Sequence, residues 1–200
     1  VFLYTNFHSI NQHFIDGSFE KGLELIPQIE KELILFKDRI DPHHKMIFYY
    51  KFASLHFGAG NNKACIKYLD RIISNKSLSM REDLLCFSRV LNLVAHYEAG
   101  LDYHLETLLR STYKFLIKMN DLHEVQKEMI KFIRGLQDIY PHDLKNAFRE
   151  LVATLKTYED HPFERRAFLY LDIISWLESK IENKPVGQII QNKYLTKYAP

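Results

Sequence analysis

Turn-forming residues are scarce in this sequence. Its 200 residues include only seven glycines and six prolines, about half the usual share. That excludes a fold assembled from many tight hairpins. Cysteine is scarcer still: Cys65 and Cys86 are isolated from one another, which excludes a secreted disulfide scaffold and fits a reducing compartment. No uncharged apolar run approaches the ~20 residues that a membrane span needs. Neither sign of charge dominates, with 27 Lys and Arg against 25 Asp and Glu and a net charge of +2. A general binder of nucleic acid or acidic membrane carries a larger basic excess. The opening residues lack charge, but they also lack the basic segment that begins a signal peptide. The setting read from these absences is cytoplasmic, with no membrane partner.

Helical periodicity fills what remains. Hydrophobic residues make up 46% and aromatics 14% of the chain, too much for disorder. Leu23, Ile26, Ile29, Leu33 and Phe36 form one stripe, and Leu144, Phe148, Leu151, Val152 and Leu155 another. Their spacing is that of an amphipathic helix, not of a strand. Helix-start signals separate the stripes: Asp41-Pro42 and His161-Pro162 put proline where the first turn needs no amide donor. Ser79 with Glu82 and Asp121 with Glu124 have capping-box spacing. Helices are predicted near 2–16, 18–38, 43–58, 61–75, 80–99, 102–119, 122–139, 142–158 and 162–183, with a weaker one after Pro185. With about nine or ten helices and short connections, neighbours must run antiparallel.

The helices also repeat in pairs. Gly17, Gly60 and Gly100 each close one helix and open the next, 43 and 40 residues apart, and Tyr140-Pro141 falls at the same phase. A period near 40 with two helices per unit is the mark of an all-α superhelix, an α-solenoid. The units lie near 1–40, 41–79, 80–120 and 121–160. A capping helix over 161–183 completes a repeat domain of residues 1–183, leaving 184–200 as a C-terminal tail with a short helix. In the capping helix, Glu164, Arg165, Arg166, Glu178, Lys180 and Glu182 are expected to face water. Because Val1 to Tyr4 already reads as helix, the chain is expected to be the C-terminal part of a longer protein.

Within these units, Tyr49-Tyr50-Lys51-Phe52-Ala53-Ser54-Leu55-His56-Phe57-Gly58-Ala59-Gly60 resembles the first helix of a tetratricopeptide (TPR) repeat. Asn61 to Leu69 is similar to the start of its second helix, and Gly17-Ser18-Phe19-Glu20-Lys21-Gly22-Leu23 to its turn. Gly22, Ala53 and Cys65 supply the small side chains that two closely crossing helices require. Downstream, Leu93 and Leu105 replace the small residues while the period persists. The resemblance implies a TPR-like superhelix whose first helices line a concave face that binds a peptide or protein segment. Transferred by phase, the binding residues are Asn11, Tyr50, Ser54, Tyr97, Lys127, Lys131 and Arg134. Tyr50 and Ser54 stand where a carboxylate clamp would need Lys and Asn, so capture of a C-terminal carboxylate is not implied. Phe87, Val90 and Val94 give the third unit an apolar strip.

Catalytic chemistry finds no foothold in these residues. His123-Glu124 is followed by Lys127 where a zinc motif needs histidine, and no Gly-rich phosphate loop or Gly-x-Ser-x-Gly is present. Cys65 and Cys86 read as small apolar residues, and Tyr49, Phe52, Tyr68 and Phe148 as core packing. No catalytic residue, metal ligand or cofactor is assigned, and the protein is not expected to be an enzyme. Lys127, Lys131 and Arg134 share one helix face, which suits an acidic or phosphorylated segment. The function read from the sequence is a non-enzymatic protein–protein interaction module. One alternative is the C-terminal sensor or oligomerisation domain of a larger regulatory protein. A nucleic-acid-binding superhelix is the least favoured, given the balanced charge.

Overall fold

The computed structural model describes residues 2–75, 82–120, 122–165, 167–168 and 172–198. These residues form ten α-helices and no strand: α1 (Phe2–Asp16), α2 (Phe19–Leu35), α3 (Pro42–Gly58), α4 (Asn62–Ile73), α5 (Glu82–Glu98), α6 (Asp102–Lys118), α7 (Glu124–Gly135), α8 (Leu144–Lys156), α9 (Ile173–Glu182) and α10 (Val186–Tyr198). Neighbours pack in sequence from α1 to α8, as the all-α helix-pair reading expects.

Local chemistry accounts for the boundaries. Pro42 opens α3, and the Asp41 carboxylate accepts from the His43 amide at 2.9 Å, satisfying one of the orphan donors of the first turn. Gly17, Gly60 and Gly100 adopt φ of +74°, +76° and +66°, which glycine reaches without a Cβ clash. After α3 the Asn61 amide donates to His56 O at 2.8 Å, and after α5 the Leu101 amide donates to His96 O at 3.1 Å. Each bond closes a helix end around the left-handed residue. Ser79 and Asp121 lie outside the described residues, as do Arg166 and Val1. At α7, His123 is the N-cap, and its amide donates to the Gln126 side chain at 2.8 Å.

The C-terminal part differs from the sequence reading. A single helix was expected over 162–183, yet residues 162–165 form only turns and α9 begins at Ile173. The cause is Asp172, whose carboxylate accepts from the Ser175 amide at 2.9 Å and the Ser175 hydroxyl at 2.6 Å. That cap competes with continuing the helix backwards. Within the tail, α10 is a full 13-residue helix.

Two cores result. One gathers Ile10, Phe19, Ile26, Ile29, Leu33, Phe48, Phe52 and Ile190 from α1, α2, α3 and α10. The larger runs from Met46 and Tyr50 of α3 through α4 to α9. Opposite sides of α3 serve both cores. Phe52 and Phe148 are buried, Tyr49 and Tyr68 half-buried, and both cysteines buried, all in packing roles. Besides α9, α10 packs against α1, so the last helix of the chain touches the first.

Candidate binding surfaces

Tyr50 and Ser54 project from α3 into the middle of the molecule, and both are buried. The Ser54 hydroxyl donates to Tyr50 O at 2.9 Å, so its hydrogen-bonding demand is met within its own helix. Tyr50, Phe87, Val90, Gln126, Ala167 and Ile173 surround an enclosed space of only about 10 Å³, the room of roughly one water. The apolar strip of Phe87, Val90 and Val94 is therefore covered. Phe87 and Val90 there face Ala167 and Ile173 together with Val125, Gln126 and Met129 of α7, not open solvent.

Trp176 anchors α9, the helix that begins at Ile173. Its ring stands edge-on to Tyr97 of α5 at 6.4 Å and to Phe148 of α8 at 6.2 Å. The indole N–H donates to Glu98 at 2.8 Å, and Lys180 donates to the other oxygen of the same carboxylate. A buried indole needs such a partner, and the carboxylate in turn needs the ammonium. Lys180 was expected to face water; instead it closes this pair across α5 and α9. Glu178 likewise accepts from Lys156 at 3.1 Å and from Lys193 of α10 at 2.6 Å. Burial alone would raise its carboxyl, but these two hydrogen bonds more than offset that and hold it below the ordinary value. Glu164 is also buried, contrary to the expectation for it.

Asn11 stands apart from this region, exposed on α1, where it accepts a hydrogen bond from Lys51. Lys51 also lies over the Phe7 ring at 5.6 Å. Burial pushes its ammonium below the ordinary lysine value.

The remaining candidates meet between α6 and α7. Tyr97, Leu105, Leu109, Ile133 and Leu136 floor a groove of about 260 Å³, with Glu106, Arg134 and Gln137 at its rim. Tyr113 and Ile117 continue the line along α6 and are 40% and 53% exposed. Lys127 donates to Glu124 at 2.6 Å; that hydrogen bond raises the exposed Lys127 ammonium above its ordinary value. Lys131 and Arg134 are exposed, with no ion-pair partner among the described residues. The structure thus brings Tyr97 and Arg134 to one groove with Lys127 and Lys131 along the same helix. It separates Asn11 from them and buries Tyr50 and Ser54.

A wider cleft of about 800 Å³ was not foreseen from the sequence. It opens between the helix turns at Gly17 and Gly60 and the α9–α10 hairpin, with Lys21, Trp176, Lys180 and Gly187 among its lining residues. Glu98 and Trp176 meet there across 78 residues, a separation that no local signal could have bridged. Among the described residues, no group of three or more His, Cys, Asp or Glu could hold a metal ion, and no helix is long and apolar enough to cross a membrane. Burial pushes the Cys65 thiol far above its ordinary value, leaving almost no thiolate near neutral pH.

No family model, curated protein or solved structure matches the chain.

Proposed function

We propose that the protein is a non-enzymatic interaction module, a TPR-like helical scaffold that binds an acidic segment of a partner protein in the cytoplasm. The observation that carries this reading is the exposed stretch of α7, where Lys131 and Arg134 lack carboxylate partners among the described residues beside an apolar groove. The filled inner surface moves the binding role away from Tyr50 and Ser54 and toward Lys127, Lys131 and Arg134. Paired helices with a period near 40 supply a preformed surface, so the partner bears most of the ordering cost.

Affinity capture with the full chain and with its Lys127→Glu/Lys131→Glu/Arg134→Glu variant tests the proposal. A protein retained by the native chain and lost by the variant is expected, with helicity by circular dichroism unchanged because all three side chains are exposed. Identical sets of retained proteins would remove the basic face from the reading. Retention of single-stranded RNA with a steep fall in added salt would favour a nucleic-acid role instead.

A further inference from the structure

We infer that the groove between α6 and α7 receives the apolar face of an acidic amphipathic helix from another protein. This rests on the interaction reading above and names its site and the chemistry of its partner.

The two walls of the groove follow from helical phase. On α7, Val125, Gln126, Met129, Ile130 and Ile133 are buried, and the Phe132 ring packs tilted against Phe148 of α8 at 5.1 Å. That contact assigns the Phe132 and Glu128 flank to α8. At 100° per residue, Arg134 and Lys127 then fall on the far side of α7 from Phe132, next to the buried Ile130, while Lys131 lies on the exposed back of the helix. Arg134 lines the groove directly. The C-terminal end of the basic stretch therefore borders the channel.

On α6, Leu105, Leu109, Tyr113 and Ile117 recur every fourth residue, making a strip about 18 Å long. Leu109 is buried, while Tyr113 and Ile117 remain substantially exposed. A strip of this length matches about three and a half turns of a third helix laid along the channel, with its own apolar residues at helical spacing.

Charge selects the kind of helix. The carboxylate of Glu106 at the rim is engaged by Arg110 at 2.8 Å, and that of Glu124 by Lys127. Arg134 is left over at the rim, with the exposed Lys131, equally unpaired among the described residues, one turn back on α7. Asp138 lies past the end of α7, in the short 3₁₀ turn Leu136–Asp138. A partner with glutamates flanking its apolar stripe would satisfy the excess cations, whereas a basic one would meet repulsion.

The test uses the full chain, isotopically labelled for amide NMR, and a synthetic helical peptide of about 18 residues. The peptide has leucines at helical a and d spacing and glutamates on the flanks; a control replaces every glutamate with lysine. The acidic peptide is expected to shift the amides of Leu105, Leu109, Tyr113, Ile133 and Arg134, and to weaken as salt is added. A Lys131→Glu/Arg134→Glu variant, folded by circular dichroism, is expected to bind it roughly tenfold more weakly. Absence of shifts at millimolar peptide, equal shifts with the lysine peptide, or shifts confined to another surface would each overturn the inference. Concentration-dependent shifts at the same residues without peptide would assign the groove to a second copy of the chain and overturn it likewise. Any of these leaves the broader reading standing if capture still yields a charge-sensitive partner. Loss of that partner while the peptide binds would fail the broader reading alone.

Discussion

The carboxylate of Glu164 reaches across 40 residues of sequence to the start of α7. There its two oxygens accept from the amides of Glu124 and Val125 at 3.2 and 3.1 Å. Those amides have no partner within their own helix, and the positive end of the helix dipole favours an anion at that place. Glu164→Ala is expected to destabilise the protein by about 1–3 kcal/mol, read as a lower urea midpoint with an unchanged slope. Glu164→Gln should lie between the two proteins. A second carboxylate makes stability depend on pH. Glu178 titrates below its ordinary value of 4.5 in the folded protein because Lys193 and Lys156 hold its charged form. A depressed folded pKa contributes stability that is fully present above the unfolded value and lost as pH falls through the folded one. Glu178→Gln should therefore lower the unfolding midpoint at pH 7 and shrink the drop between pH 5 and 3. An identical drop in both proteins would show that Glu178 does not contribute to it. Neither role was legible in the sequence, where acids near helix ends read simply as solvated residues.

Among the helices, the turn glycines separate two physical demands. Gly17 and Gly60 share the same left-handed conformation, but their surroundings differ. A Cβ on Gly17 would lie 2.5 Å from Gly187 O and 3.0 Å from the Gln191 amide nitrogen, backbone atoms of the α10 segment. Around Gly60 nothing lies within 4 Å. Gly60→Ala should therefore cost only the left-handed strain, about 1 kcal/mol. Gly17→Ala adds displacement of α10 from α1, and is expected to cost more than about 3 kcal/mol. Equal urea midpoints for the two variants would show that the α1–α10 contact contributes nothing. The period of these glycines, and with it the order and approximate ends of α1 to α8, was readable from the sequence because each break is local chemistry. The break ahead of α9 was not, because Asp172 and Ser175 carry a capping signal that the surrounding apolar pattern masks.

Taken whole, the molecule is an array of helix pairs whose inner surface is closed by its own C-terminal hairpin. Trp176, the sole tryptophan, lies at the centre of that closure, 2% exposed and bonded to Glu98. Its fluorescence therefore reports whether α9 leaves its seat. If α9 is integral to the core, the urea transitions followed by tryptophan fluorescence and by circular dichroism should coincide. A fluorescence change that precedes loss of helicity would show that the hairpin detaches as a separate unit.

Composition and periodicity by themselves determined that the chain is all-helical, that its helices pair, and where most of them begin and end. Those properties depend on residues within a few positions of each other, through capping, proline placement and apolar spacing. Tertiary structure alone decided which faces remain open. Whether Tyr50 meets solvent depends on Ile173, and the environment of Glu98 depends on Trp176 and Lys180, all far along the chain. The surviving basic surface on α7 was visible in the sequence as a spacing of three cations. Its groove was not, because a groove belongs to two helices and the distance between them.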